Sequence, residues 1–309
     1  MLRYLITGAT GFIGRELISK IRKNRDSFEV ISRNAERAKE IFPDADQIHQ
    51  IDLKRQIPQG NIFKDVDVVI NLAGEFVFSF LGWTKSKKSS IYESRVLLTR
   101  NLVQGIYSSG NNSIGIVSAS AVGYYPQTDN KKILDEESEN GTQFLSKVCL
   151  DWENEAISAR KLGIDVSIVR LGVVLGRQGG VIGSFYWPFV FGLGAVFGRG
   201  TQWWSWIHVS DVVNLILFCA ENRLNGIYNG VSVDPVMHKD FALTLAKSLN
   251  KGLYFKLPEV FLKLILREMS CELLNSYFVK PNATINAGYE FRFNNLNEAL
   301  KNIFLRNIK

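Results

Sequence analysis

Residues 7–14, TGATGFIG, decide the fold. They follow the apolar run Tyr4–Ile6 and lead into FIGRELISKIRKN, where apolar residues recur at helical spacing. A glycine-rich turn between a strand and a helix start is the context in which such a motif carries meaning. Here Gly8 permits a tight turn, Gly11 lets a pyrophosphate approach the backbone, and Gly14 allows close packing of the helix. The N–H groups that open the helix then face phosphate. Thr7, Thr10, Phe12 and Ile13 complete this expected phosphate loop, whose spacing is GxxGxxG.

Working outward, short β-branched runs alternate with amphipathic stretches. The strands read FEVIS, DQIHQID, DVDVVINLAG, SIGIVSAS and DVSIVRLG. The helices read NAERAKEIF, a long one from about Thr84 to Ser109, and FLSKVCLDWENEA. That alternation predicts an α/β protein, a Rossmann-type doubly wound parallel sheet with helices on both faces. Regularity weakens after Gly172, where residues 176–204 are rich in glycine and aromatics and read as loops around a pocket. A helix at about Ser210–Glu221 and the strand GIYNG restore the pattern. KDFALTLAKSLN, PEVFLKLILREMSCELLNS and NLNEALKNIFL then read as helices. The expected division is a dinucleotide-binding body (1–172 and 205–230) and a smaller, discontinuous, mostly helical substrate lobe (173–204 and 231–309).

Bulk properties narrow the function. With 46% hydrophobic and 22% charged residues in 309, the chain has the composition of a soluble globular protein. The start lacks the apolar run of a signal peptide, and the most apolar stretch, Val181 to Phe197, is broken by Gly183, Pro188, Gly192 and Gly194. A cytoplasmic protein with no membrane segment is expected. Three scattered cysteines and three dispersed histidines predict neither a disulfide framework nor a protein-held metal. The net charge of +7 comes from short clusters (Lys20–Arg25, Lys85–Lys88, Lys131–Lys132) without a nucleic-acid module. A solvated basic surface and an anionic cofactor account for it. The expected partner is a small molecule, bound by a monomer or homodimer.

The end of the second strand selects the dinucleotide. A carboxylate there would accept from a free ribose 2′-hydroxyl. This chain has Ser32 and Arg33, and a guanidinium fork pairs well with a 2′-phosphate. NADP(H) is therefore predicted over NAD(H). Asp52, with Leu53 beside it, is placed to accept from the adenine amino group. Leu72, Ala73 and Gly74 are placed along the cofactor's second half, and Glu75 at a ribose or a substrate.

TGATGFIG, INLAG, SASAVGYY, VRLGVVLG and SWIHVSD together resemble the extended, epimerase/dehydratase-like branch of the short-chain dehydrogenase/reductase superfamily. WTKSKKSSIYESR, VCLDWENEA, LGRQGG, PFVFGLG and QWWSWIHVSD are similar to an atypical subgroup of NAD-dependent epimerase/dehydratase family proteins, some labelled cell-division inhibitors. The C-terminal stretch from Leu257 resembles that subgroup's domain of unknown function. Two departures stand out: Gly82, not arginine, precedes Trp83, and Pro126 follows the two tyrosines where glycine is common.

The resemblance implies a serine, a tyrosine and a lysine four residues beyond it as the catalytic set. Ser120 aligns with the serine. Counting back from Glu153, Cys149 falls on the lysine and Leu145 on the tyrosine. Leu145, Cys149, Trp152 and Ala156 share one helical face, while Lys147 lies opposite, placed for a surface pair with Asp151. Cys149 reads as a small buried hydrophobe. Tyr124 and Tyr125, just past Ser120, remain as candidate proton donors. His208 reads as structural, and Trp203, Trp204 and Trp206 as an aromatic wall or plain core. Two classes stay open: an NADP(H)-dependent oxidoreductase of a small carbonyl or alcohol, and a non-catalytic NADPH-sensing protein. An epimerase acting on sugar nucleotides is a third reading.

Overall fold

The computed structural model describes residues 1–79, 82–128 and 132–305, so Lys131 of the third basic cluster lies outside the described residues. Seven parallel strands form the central sheet: β1 (Arg3–Thr7), β2 (Ser27–Ser32), β3 (Gln47–Gln50), β4 (Val68–Asn71), β5 (Gly115–Ala121), β6 (Val166–Leu171) and β7 (Gly226–Gly230). Their spatial order is β7-β6-β5-β4-β1-β2-β3. The order reverses between β1 and β4, and ligands bind such sheets in the crevice beyond that point. Helices cover both faces, so β4 and β6 are buried along their whole length.

Helix α1 (Phe12–Asn24) shows how the sequence makes this packing. Its buried residues Gly14, Leu17, Ile18 and Ile21 recur at i, i+3, i+4 and i+7. Each of the three large ones contributes about 2 kcal/mol by burial. Helix α2 (Ala35–Ile41) is capped by Asn34, whose side chain accepts from the Arg37 N–H.

The expected long helix is two: α3 (Lys85–Glu93) and α4 (Val96–Ser109). The Ser94 hydroxyl donates to the Ile91 carbonyl and accepts the Glu75 N–H, at 3.1 and 2.9 Å. Those bonds compete with the helix ladder, and the break turns Arg95 inward. Helix α5 (Phe144–Ile157) follows β5. Its Lys147 is exposed as expected, but Asp151 accepts from the Tyr92 hydroxyl at 3.1 Å.

The lobe also departs from its reading. Residues 176–204 are not all loop, because Gly180–Val190 form helix α6 with Pro188 inside it. The strand Trp206–His208 pairs with Val173–Gly176 rather than joining the main sheet. Helix α7 (Val209–Glu221) returns to the body and packs on α1, and α8 (His238–Ser248) belongs to the lobe core with Trp83, Trp204 and Phe197. Residues 258–276, read as one helix, divide into α9 (Glu259–Leu266), a 3-10 turn at Arg267–Met269, and α10 (Ser270–Leu274). Arg267 adopts φ 51° at the break. A side chain at Gly82 would come within 2.5 Å of the Leu266 carbonyl oxygen, so the absence of one lets Gly82 itself lie against the end of α9. Short α11 (Asn282–Asn286) packs on β7, and α12 (Leu296–Leu305) on α8. Among the described residues, no helix is long and apolar enough to cross a membrane.

Candidate active site

Two cavities meet at the carboxyl ends of the strands. A cleft of about 310 Å³ runs over the glycine loop and the ends of β2 and β3. Thr7, Gly8, Thr10, Gly11, Ser32, Arg33, Asp52, Leu53, Leu72, Ala73, Gly74 and Glu75 all line it. A second cavity of about 420 Å³ lies between the sheet and the lobe, and Leu72, Ala73 and Gly74 line this one too.

Elementary groups build the cleft. Helix α1 follows Gly11 at its N-cap, without a side-chain cap and with no acid in its first turn, so its N–H groups and dipole are available to an anion. The Thr7 hydroxyl donates to Asn71 at 2.8 Å and accepts the Ala73 N–H at 3.3 Å, locking the glycine loop to the exit of β4. Arg33 and Arg37 stand exposed at the rim, and neither makes an ion pair among the described residues. Arg37 was not anticipated; its place four residues beyond Arg33, one turn into α2, is the signal that could have found it. Asp52 accepts from the Lys54 N–H at 3.2 Å and faces Arg55 at 3.7 Å. The Glu75 carboxylate is engaged by Lys87 at 2.9 Å, which holds its pKa below the usual range. Phe12 and Gly14 do not line the cleft; the Phe12 ring packs against Gly176, Gly179 and Gly180. Ile13 lines the second cavity.

That second cavity contains Ser120, Leu145, Cys149 and Trp152, so three residues of the face predicted for α5 look into it, while Ala156 is buried in the core. Cys149 is buried, and burial pushes its thiol up to about 12, reinforced by the Glu153 charge. Trp203 and Trp204 form part of the wall. Trp206 does not: it is fully buried, its indole N–H donating to the Asp234 carbonyl at 2.9 Å. His208 caps α7, accepting from the Ser210 N–H at 3.1 Å, and packs on Phe293.

The two tyrosine candidates are turned away. Neither Tyr124 nor Tyr125 lines the cavity. Tyr125 is wholly buried, donates to Asn229 at 2.7 Å and accepts from Arg170 at 3.0 Å. Burial pushes its hydroxyl up to about 12. The Tyr124 ring lies 3.4 Å from the Arg170 guanidinium carbon. Arg170 in turn holds Glu153 bidentately at 2.9 and 2.8 Å, and the Ser120 hydroxyl donates to the same carboxylate at 2.6 Å. The segment after β5 is thus anchored by a cation from β6, a partner whose position along the chain gives no hint of the contact.

Further polar residues reach this cavity, among them Arg95, Glu272, Asn275 and Tyr277. Arg95, turned in by the α3–α4 break, donates to the Ile91 and Glu75 carbonyls at 3.3 and 3.1 Å and lies over the Trp152 ring. Its guanidinium has no carboxylate within ion-pair distance among the described residues. Glu272 and Tyr277 enter from the C-terminal region, and Asn275 donates to the Tyr277 hydroxyl at 2.9 Å.

A doubly wound parallel sheet, a glycine-loop cleft at its reversal point and a lobe-covered pocket beside it define a dinucleotide-binding protein of the extended short-chain dehydrogenase/reductase kind. Residues 4–230 match the model of the NAD dependent epimerase/dehydratase family, and the chain belongs to that family. Residues 257–303 match a domain of unknown function, DUF1731. An Arabidopsis thaliana protein named epimerase family protein SDR39U1 homolog, chloroplastic, is 34% identical over 96% of this chain and 85% of its own length. An epimerase family protein of Staphylococcus aureus is 30% identical over 98% of the chain and 99% of its own. The crystal structure of human epimerase family protein SDR39U1 (isoform 2) with NADPH superimposes with a TM-score of 0.86 at 28% identity, covering 99% of this chain and all of that one.

Proposed function

We propose that the protein binds NADP(H) in the cleft and interconverts a small, largely apolar or aromatic carbonyl compound and its alcohol in the adjoining cavity. The observation that carries this reading is the shared wall Leu72–Gly74, which puts the cleft's far end next to Ser120 and the tryptophans. The cleft's residues fit the cofactor: an uncapped helix start for the pyrophosphate, and Arg33 with Arg37 where a 2′-phosphate would sit. NADPH in the human relative's crystal structure supports the same choice. When bound, the cofactor supplies hydride. The chain's residues do the rest. Trp203 and Trp204 bind a flat ligand and exclude water. Ser120, whose proton is given to Glu153, presents lone pairs to a substrate hydroxyl. Arg95 offers a cation in the wall of the second cavity.

Arg33→Asp tests the cofactor choice. Charge-assisted bonds to a phosphate are worth about 1.5–3 kcal/mol, so the NADPH dissociation constant should rise roughly 10- to 100-fold. NADH binding, followed by the same fluorescence titration, should change far less; equal loss of both would refute the 2′-phosphate site.

The activity is tested by substrate-dependent loss of NADPH absorbance across aldehydes and ketones, with Ser120→Ala expected to be slower. One observation favours a second reading, an NADPH-sensing protein without chemistry: Leu145 and Cys149 occupy the wall where the family's tyrosine and lysine would stand. Tight NADPH binding with no oxidation in any carbonyl class would decide for the sensor.

A further inference from the structure

Part of the cavity wall is drawn from the C-terminal domain of unknown function, and among the described residues the one carboxyl group lining the cavity is Glu272. We propose that Glu272 is the proton-exchanging residue of this pocket, giving its proton to a substrate carbonyl oxygen and recovering it in the reverse direction. The assignment rests on the oxidoreductase reading above. It supplies the role left open by Leu145 and Cys149.

The geometry leaves few competitors. The Ser120 proton is engaged by Glu153, and the Tyr277 hydroxyl, which accepts from Asn275, holds its own proton tightly because burial and the Glu272 charge push it up. Cys149 is a thiol well above neutrality, and Arg95, though burial lowers its pKa, is a guanidinium, a group that stays charged in proteins. Tyr124 and Tyr125 lie outside the cavity. The Glu272 carboxyl, by contrast, has no hydrogen-bond donor and no cation against it among the described residues. Burial alone pushes it up to about 7, where one group serves as acid and base with comparable ease. The groups that face it are Cys149 of α5, Tyr277 beyond α10, and Cys271 on its own helix; each feels its charge. Arg95 acts on Cys149 and does not offset the burial of Glu272. The α9–α10 break produces this placement, because an unbroken helix would carry residue 272 along a different line.

The carbonyl carbon receives hydride from bound NADPH, leaving NADP⁺, while the Glu272 O–H bond breaks and the alcohol O–H bond forms. Solvent then reprotonates the carboxylate, so one carbonyl, one NADPH and one proton give one alcohol and one NADP⁺.

The test uses the full chain, with Glu272→Gln and Glu272→Asp. Carbon-13 carboxyl NMR of glutamate-labelled protein should show one resonance titrating near neutrality, absent from Glu272→Gln. NADPH binding, read by fluorescence, should be the same in all three. With p-nitrobenzaldehyde and NADPH, the wild-type single-turnover rate should fall as pH rises through about 7, because the acid form is being lost. Glu272→Gln should be about 10²- to 10⁴-fold slower and independent of pH across that window, and Glu272→Asp should recover part of the rate. No such resonance, or a Gln variant with the wild-type rate profile, overturns the assignment alone. A wild type that binds NADPH but reduces no carbonyl overturns the oxidoreductase reading, and this assignment with it.

Discussion

Glu153→Leu is expected to destabilise the fold by about 3–5 kcal/mol, the cost of breaking a buried ion pair by removing one partner. Glu153 and Arg170 are 3% and 1% exposed, so neither charge has water to fall back on. Burial pulls the Arg170 pKa down, and the bidentate Glu153 partner outweighs that pull and keeps the guanidinium charged. Without Glu153 the cation would retain, among the described residues, the Tyr125 oxygen and ring, the distant Glu136 carbonyl and the Tyr124 ring face. Ser120 would lose its acceptor at the same time. The double replacement Glu153→Leu with Arg170→Met should recover at least half of the loss, since apolar substitutes for both partners are often neutral or better. Asp44→Asn, which breaks the exposed pair with Arg22, should cost under about 1 kcal/mol. Urea denaturation of the four proteins checks this. A Glu153→Leu loss no larger than that of Asp44→Asn would show the pair to be dispensable.

How the cleft and the cavity were legible in the sequence follows from the range of the forces involved. Helix α1 could be bounded from residues 12–24 alone, because its apolar face, glycine-rich start and basic end are all local. Residues along the glycine loop and the β2, β3 and β4 ends were reachable for the same reason: strand ends in a parallel sheet converge on one edge. Helix breaks were not. Residues 84–109 and 258–276 keep helical periodicity through Ser94–Arg95 and Arg267, and what meets them at the break is a contact from elsewhere: the Glu75 N–H in one case, Gly82 in the other. Those two breaks carry Arg95 and Glu272 into the cavity, so the residues hardest to foresee are the ones non-local packing places. Tyr125 shows the converse. Its distance along the chain from Ser120 suggested a donor, but the Arg170–Asn229 pair, supplied by β6 and β7, draws it into the core.

Gly8→Ala should abolish measurable dinucleotide binding, with NADPH affinity falling by at least about 100-fold, and Gly110→Ala is the control that says why. Both glycines have positive φ, 70° and 68°. An L-residue in the left-handed region costs about 1–2 kcal/mol, so the conformational penalty is the same at both sites. Their surroundings differ. A Cβ at Gly110, just past α4, meets nothing within 4 Å. A Cβ at Gly8 would lie 2.6 Å from the Leu72 carbonyl carbon and oxygen and 2.7 Å from the Ala73 nitrogen. Those are backbone atoms of the β4 exit and cannot rotate aside, so the glycine loop and the Leu72–Gly74 wall must separate. The Ala73 N–H would leave Thr7, and the start of α1 would move off the phosphate position. Gly110→Ala should therefore lose roughly 1 kcal/mol of stability and keep its NADPH affinity, whereas Gly8→Ala should lose more stability and the affinity as well. Fluorescence titration with NADPH and urea denaturation read the two effects separately. Equal NADPH affinity in the two variants would mean that the close approach of Gly8 to β4 plays no part in holding the cofactor.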